Sequence, residues 1–231
     1  MRDVRFKWDN EGAEARRLMG KVMVIIKLGS FGGRSAGSGG GGMIPFPNKK
    51  YNIIYADPPW QFKNYSDKWH KDRKESRWVA NHYDCMTPEE IKKLPVQNIC
   101  ENDAVLFLWV TFPKLIEGLE LIKNWGFTYK TNAFTWIKLN KKANSLFTGM
   151  GYYTRSNAEL CLLGTKGKVL ERKSHSVHSV IQSHIEWHSK KPDEAKERIV
   201  QLFGDLPRIE LFARQKVEGW DCWGNEVVVT E

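Results

Sequence analysis

The chain has 231 residues and carries 36 Lys plus Arg against 27 Asp plus Glu, a net charge of +9. That length suits one domain with an adequate core, and the basic excess favours a polyanionic partner such as nucleic acid. Cys85, Cys100, Cys161 and Cys222 lie far apart with no Cys-x-x-Cys pair, which argues against a zinc ribbon or a disulfide framework and suits a reducing interior. No apolar stretch is long enough to span a bilayer, and the amino terminus lacks the arrangement of a secretory signal.

Residues 1–42 stand apart. An amphipathic stretch around Glu11 to Met19 and a strand-like run from Val22 to Ile26 lead into Gly29 to Gly42, which is dominated by Gly, Ser and Ala and reads as a flexible linker. Met43 directly follows four glycines. The natural start is therefore expected at Met43, with 1–42 a tag-like or accessory segment and 43–231 the working domain. No chemistry is assigned before Tyr51.

Tyr51 to Ala56 is a run of β-branched and aromatic residues that ends abruptly in Asp57-Pro58-Pro59-Trp60. It predicts a buried parallel strand whose carboxyl-end loop carries an acid, where open α/β sheets hold their ligands. This tetrapeptide suits attack by a poor amine nucleophile. The lone pair of an exocyclic amino group on a nucleobase is conjugated with the ring until hydrogen bonds to its protons pull the nitrogen toward tetrahedral geometry. Asp57 can accept one proton, and the carbonyl of Pro58 can accept the other. Pro59 stiffens the turn, and Trp60 offers a face on which a base can stack at roughly 1–3 kcal/mol. A plain proline-stiffened strand exit is the competing structural reading.

Further along, the pattern predicts a short helix over Pro88 to Leu94, a buried strand over Ala104 to Val110, an amphipathic helix over Pro113 to Trp125 and a long strand over Phe127 to Leu139. A strand over Glu159 to Gly164, a helix opened by proline over Pro192 to Phe203 and a strand over Arg208 to Phe212 follow. The alternation predicts an α/β fold with a doubly wound, mostly parallel sheet and helices on both faces. Gln61 to Asn81 and Asn140 to Ser156 fit neither period. They are polar, basic and aromatic, as functional loops often are.

Downstream of Asp57-Pro58-Pro59-Trp60 come Asn81-His82-Tyr83, Met86-Thr87-Pro88-Glu89-Glu90-Ile91, Leu106-Phe107-Leu108-Trp109-Val110-Thr111, Trp136-Ile137-Lys138, Lys191-Pro192-Asp193-Glu194 and Ile209-Glu210-Leu211-Phe212-Ala213-Arg214. In this order the series resembles the N(6)-adenine methyltransferases typified by the catalytic subunit of the eukaryotic mRNA adenosine methylase (the MT-A type), and short bacterial or phage members in particular. The resemblance covers about Tyr51 to Val229. It implies a Rossmann-like methyltransferase fold, S-adenosylmethionine as cofactor, and Asp57, Pro58, Pro59 and Trp60 as the catalytic tetrapeptide. It also implies a circularly permuted order, which explains why no glycine-rich fingerprint precedes Asp57.

The same resemblance implies cofactor contacts from Asp57, Lys191, Glu210, Arg214 and Asn225. Lys216 and Glu226 stand where the mRNA methylase has histidine and glutamine, which puts their contacts in doubt. Read singly, Lys191 is equally a solvated charge, Glu210 and Arg214 a surface ion pair, and Asn225 a turn residue. Substrate contacts are expected from Trp60, from Lys63, Tyr65, Lys68, Arg73 and Arg77 in the loop behind it, from Tyr83, and from Lys138 and Arg155 around the second loop. Glu159, internal to its motif, is open to a purely structural reading. His175, His178, His184 and His188 carry one i,i+4 pair, but the stretch reads as a strand, and no metal site is expected.

The expected function is transfer of a methyl group to the 6-amino group of adenine in nucleic acid, DNA favoured, by a cytoplasmic monomer or homodimer with no membrane partner, nucleoid-associated if bacterial. RNA is the alternative substrate. A catalytically silent nucleic-acid-binding subunit and a methyltransferase for a small-molecule or protein amine are the rival readings. The first rival is disfavoured because Asp57 to Trp60, Lys191 and Asn225 are all kept. The second is disfavoured by the two basic aromatic loops.

Overall fold

The structure, a computed structural model, describes residues 44–60, 86–186 and 190–224. All of them belong to the unit that runs from Ile44 to Glu231.

Among the described residues seven strands form one sheet: β1 (Tyr51–Ala56), β2 (Cys100–Val110), β3 (Thr128–Leu139), β4 (Ala158–Lys166), β5 (Val180–His184), β6 (Arg208–Leu211) and β7 (Asp221–Trp223). Their order is β5-β3-β4-β2-β1-β6-β7. β1 pairs in parallel with β2 and β6, β6 with β7, and β3 with β5, whereas β4 is antiparallel to both of its neighbours. Six strands therefore point one way and β4 runs against them. The mostly parallel sheet expected from the sequence is present.

Alternation within β1 sends side chains to two cores. Ile54 and Ala56 join the cluster that contains Ile91, Leu121 and Ile122, while Ile53 and Tyr55 join the cluster that contains Ala195, Ile199 and Phe203. Helices α1 (Pro88–Lys93) and α2 (Leu115–Asn124) thus cover one face, and α3 (Asp193–Phe203) covers the other. This is the doubly wound arrangement.

Local sequence explains the helix ends. Thr87 caps α1 by accepting from the Glu90 amide at 3.2 Å, while the Glu90 carboxylate accepts from the Thr87 amide at 2.7 Å, with Pro88 in the first turn. Helix α2 stops at Gly126, whose φ of 80° lets its amide reach Lys123 O and the Phe127 amide reach Ile122 O, both at 3.0 Å. The Trp125 indole then donates to Ile91 O at 3.2 Å and ties the two helices together.

Three strands exceed the expectation, β4 running from Ala158 to Lys166 around the expected Glu159 to Gly164. β2 begins at Cys100 rather than Ala104, its first residues including Glu101, Asn102 and Asp103, because pairing with β1 starts at Tyr51↔Cys100 and overrides their low strand propensity. β7 has only three residues, Asp221 to Trp223, too few to show a period. No described helix is long and apolar enough to cross a membrane.

Chain order makes β1 the switch point. From β1 the chain passes to β2 on one side, and β6 later returns to the other side. The crevice outside the carboxyl ends of two such strands is where doubly wound sheets bind ligands. Asp57 leaves β1 there, and Phe212 leaves β6 beside it through the pair Ala56↔Leu211.

Candidate active site

Four charges meet at this carboxyl edge. Lys191, directly ahead of α3, places its ammonium 2.8 Å from Asp57 Oδ2 and 3.3 Å from Glu159 Oε2. Glu159 Oε1 in turn receives Lys138. The row Asp57, Lys191, Glu159, Lys138 therefore alternates in sign. It is assembled by topology. The antiparallel course of β4 brings its first residues to the edge where β2 and β3 end, so Glu159 lies opposite Trp136 and next to Leu160, which pairs with Val110.

Aromatic rings floor the row. Lys191 Nζ lies 5.8 Å from the Trp109 ring centroid and Lys138 Nζ lies 4.9 Å from that of Trp136. Trp109 is held by its indole, which donates to the Tyr55 hydroxyl at 2.7 Å beneath it.

Burial sets the protonation states. Desolvation lifts the Asp57 carboxyl above its ordinary value; Lys191 pulls it back, Glu159 pushes it up again and Arg214 draws it down. For Glu159, burial works in the same upward direction, yet Lys191 and Lys138 outweigh it and hold the carboxyl below its usual value. Lys191 is disfavoured as an ion by burial, but Asp57 and Glu159 together raise its pKa. The row is thus two carboxylates interleaved with two ammonium groups, and Asp57 is the carboxylate whose proton affinity is raised.

The tetrapeptide turns tightly. The Trp60 amide donates to Pro58 O at 2.8 Å, and the Met86 amide donates to Pro59 O at 3.2 Å. The Pro58 carbonyl, expected from the sequence to be free, thus has one lone pair engaged and one left. Trp60 also departs from expectation. The residue is only 6% exposed, packs in the core cluster with Ile54 and Leu108, and donates from its indole nitrogen to Trp109 O at 3.3 Å. Trp60 walls the site and anchors the turn to β2 instead of standing open as a platform.

On the other side of the switch point, Glu210 sits in β6 and pairs with Lys196 of α3 at 2.5 Å. Its partner is thus a buried lysine. Phe212, the next residue but one, adopts φ 62°, a left-handed conformation that costs a bulky residue on the order of 1–3 kcal/mol. Its ring meets Trp223 at 5.6 Å, and the Ala213 amide donates to Trp223 O at 3.0 Å. A Cβ built on Gly224 would come within 2.3 Å of Ala213 O, so the backbones of the two turns touch there and only glycine fits. These strained and close-packed turns behind β6 and β7 form a backbone cradle beside Glu210 and the half-buried Arg214.

Of the other expected residues, Lys138 is committed to Glu159 and Trp136 rather than standing out toward a phosphate, because β3 and β4 bring the two side chains together. Arg155 is exposed in the segment behind β3, and Lys216 is exposed behind β6; neither joins the row. Lys63, Tyr65, Lys68, Arg73, Arg77, Tyr83, Asn225 and Glu226 lie outside the described residues, as does His188. Among the described residues no group of His, Cys, Asp and Glu is arranged to hold a metal ion. Glu159, which the sequence left open to a purely structural reading, and Lys196, which it did not single out, are the further contributors. The Glu159-Leu160-Cys161 motif and the lysine on the apolar face of α3 were the signals available.

The fold and site define a methyltransferase of the doubly wound class, and the family model for MT-A70 matches residues 51–226. The chain belongs to the MT-A70 family. It is similar to the type II methyltransferase M.MunI of Mycoplasma sp, with 35% identity over 195 residues that cover 78% of this chain and 79% of that protein. It is also similar to the N(6)-adenosine-methyltransferase subunit METTL3 of Danio rerio, 30% identical over 77% of this chain and 28% of that one. The human METTL3 catalytic subunit is 29% identical over the same shares. The chain therefore spans about a quarter of the METTL3 proteins but most of M.MunI. Membership makes the protein an S-adenosylmethionine-dependent methyltransferase.

The residues present fit that cofactor. A carboxylate at the end of a strand beside the switch point, where doubly wound sheets hold their ligands, suits a ribose diol. The cofactor supplies an electrophilic methyl group on a sulfonium.

Proposed function

We propose that the protein methylates adenine in DNA at N6, with the row Asp57, Lys191, Glu159 and Lys138 as its working centre. The observation that carries the reading is the Asp57–Lys191–Glu159 ion triad at the carboxyl edge of the switch-point strand. Asp57 accepts one hydrogen of the amino group and the remaining lone pair of the Pro58 carbonyl accepts the other, which draws the nitrogen toward tetrahedral geometry. Lys191 fixes the Asp57 carboxylate in place before substrate arrives, and Glu159 fixes Lys191. A strong base is unnecessary, because the nitrogen becomes acidic as it is alkylated and sheds its proton to solvent.

Glu210 and Arg214, joined by Asn225 and Glu226, are read as the cofactor's ribose side. The basic aromatic loop with Lys63, Tyr65, Lys68, Arg73 and Arg77, together with Tyr83 and Arg155, is read as the nucleic-acid side. An adenine within a duplex hides its amino group, so the base is flipped or taken from a single strand. The similarity to M.MunI over most of both chains favours DNA, with RNA as the second reading because of the METTL3 relatives. Residues 43–231 are read as the methyltransferase domain and 1–42 as a tag-like or accessory segment, with the protein acting in the cytoplasm as a monomer or homodimer.

Transfer of labelled methyl to matched single-stranded DNA, duplex DNA and RNA, each with and without adenine, tests this. Adenine-dependent labelling of DNA is expected. Labelling of RNA alone transfers the assignment to RNA, and cofactor binding with no labelling of any polymer overturns the proposal.

A further inference from the structure

Helix α3 places Ala195, Ile199 and Phe203 against the sheet, and Lys196 shares that buried side. An ammonium on the core side of a helix is costly unless it is paired. Its partner is Glu210, whose Oε2 it meets at 2.5 Å, and both side chains are nearly covered, at 11% and 15% exposure. Two rings complete the enclosure, with Lys196 Nζ 5.6 Å from the Tyr55 centroid and 6.0 Å from that of Trp220. Arg208 lies over the same Trp220 ring at 5.7 Å, and Tyr55 meets Trp220 edge-on at 5.7 Å. Apart from Tyr55, whose hydroxyl holds Trp109, the catalytic row uses none of these residues, and Glu210 lies in register with Tyr55 of β1, two residues before the row begins at Asp57.

We infer that Lys196 is a positioning residue for cofactor binding: it holds Glu210 ionised and oriented, so that Oε1 is presented to the ribose diol while Oε2 is occupied. The inference rests on the reading of Glu210 as the ribose acceptor. A carboxylate accepts from both hydroxyls of a diol, whereas a carboxylic acid must spend its own proton as a donor. Burial already lifts the Glu210 carboxyl above its ordinary value, with Lys196 opposing the rise and Asp57 and Asp193 adding to it. Tyr55 and Cys222 flank Glu210 in register from β1 and β7, and neither brings a positive charge. Among these neighbours Lys196 is the group that opposes protonation most strongly. Removing it shifts Glu210 toward the acid form as pH falls.

Calorimetric titration of S-adenosylhomocysteine, which carries the same ribose, against the full chain at about pH 6 and about pH 9 tests this without turnover. Wild type should bind with little change between the two. Lys196→Met should bind several-fold more weakly at the lower pH and recover most of the loss at the higher one, because without the ammonium the Glu210 carboxyl takes up a proton in a range where that of wild type stays ionised. Lys196→Arg should restore most of the affinity, and Glu210→Gln should lose affinity with no pH dependence. Thermal melting of each variant checks folding. If Lys196→Met does not fold, the Lys196→Met, Glu210→Gln double variant carries the test. Affinity of the double variant equal to that of Glu210→Gln alone supports the inference, because Lys196 then acts through Glu210, and a further drop contradicts it. Lys196→Met binding that matches wild type, or that is weaker by the same factor at both pH values, overturns the inference. Glu210→Gln binding that matches wild type would instead remove the reading of Glu210 as the ribose acceptor.

Discussion

Lys190 and Lys191 are neighbours in the chain with opposite fates. Lys190 reaches Glu186 at 2.9 Å and Asp193 at 2.6 Å across a half-exposed surface, all within a few residues of itself. Lys191 turns inward to Asp57, 134 positions away, and to Glu159, with 10% of its side chain exposed. Both make two ion pairs at similar distances. Solvent screens the first set, so it contributes little. The second set lies in a poorly solvated crevice where each charge holds the others in place and the loss of one leaves its partners unbalanced. Location, rather than the number of ion pairs, separates a surface ornament from a working centre.

Breaking the inner set at its end should have the largest effect. Asp57→Ala removes the acceptor proposed for the amino group, and a fall in turnover of about 10³-fold is expected by analogy with loss of a preorganised polar group. Steady-state methyl transfer at saturating cofactor measures it.

Lys191→Met comes next. It leaves Asp57 and Glu159 without the cation between them, Glu159 keeping only Lys138, so kcat/KM should fall about 100-fold and stability by about 3 kcal/mol, read by kinetics and urea unfolding. The same variant should alter the pH profile. Asp57 must be ionised to accept the hydrogen bond from the amino group, so activity declines as pH falls through its raised pKa. With Lys191 gone that pKa rises further, and the acid limb should move to higher pH. An unmoved limb would separate Asp57 from the titration.

Glu159→Gln is milder. It keeps the shape but takes a charge from Lys191, and a loss of about tenfold in kcat/KM is expected, of the size of one charge-assisted hydrogen bond. Lys190→Ala should be smallest. Stability should shift by less than about 1 kcal/mol and methyl transfer should stay at the wild-type level, measured side by side with Lys191→Met.

Much of this contrast could be read from sequence on one side only. Strand β1, the turn Asp57 to Trp60, the helix behind Pro192 and the strand around Glu210 are local patterns, each bounded by its own breakers and apolar period. Lys191 came from its motif. Glu159 did not, because its place depends on β4 running antiparallel between β2 and β3, a matter of register between distant segments. Lys196 was hidden for a similar reason. In sequence it is one charge of a helix that also contains Glu194, Glu197 and Arg198, and only the packing of α3 on the sheet turns it toward Glu210. Trp60 shows the converse. Its type suggested a stacking face, but the close approach of the Pro58 turn to β2 draws its ring into the core.

The central claim, that the row at the end of β1 methylates adenine at N6, is tested most directly by nucleoside analysis. DNA is incubated with the enzyme and S-adenosylmethionine, digested to nucleosides, and resolved by mass spectrometry. N6-methyldeoxyadenosine with wild type and its disappearance with Asp57→Ala is the predicted result. A methyl group on another atom or base, or an undiminished yield from Asp57→Ala, would contradict it.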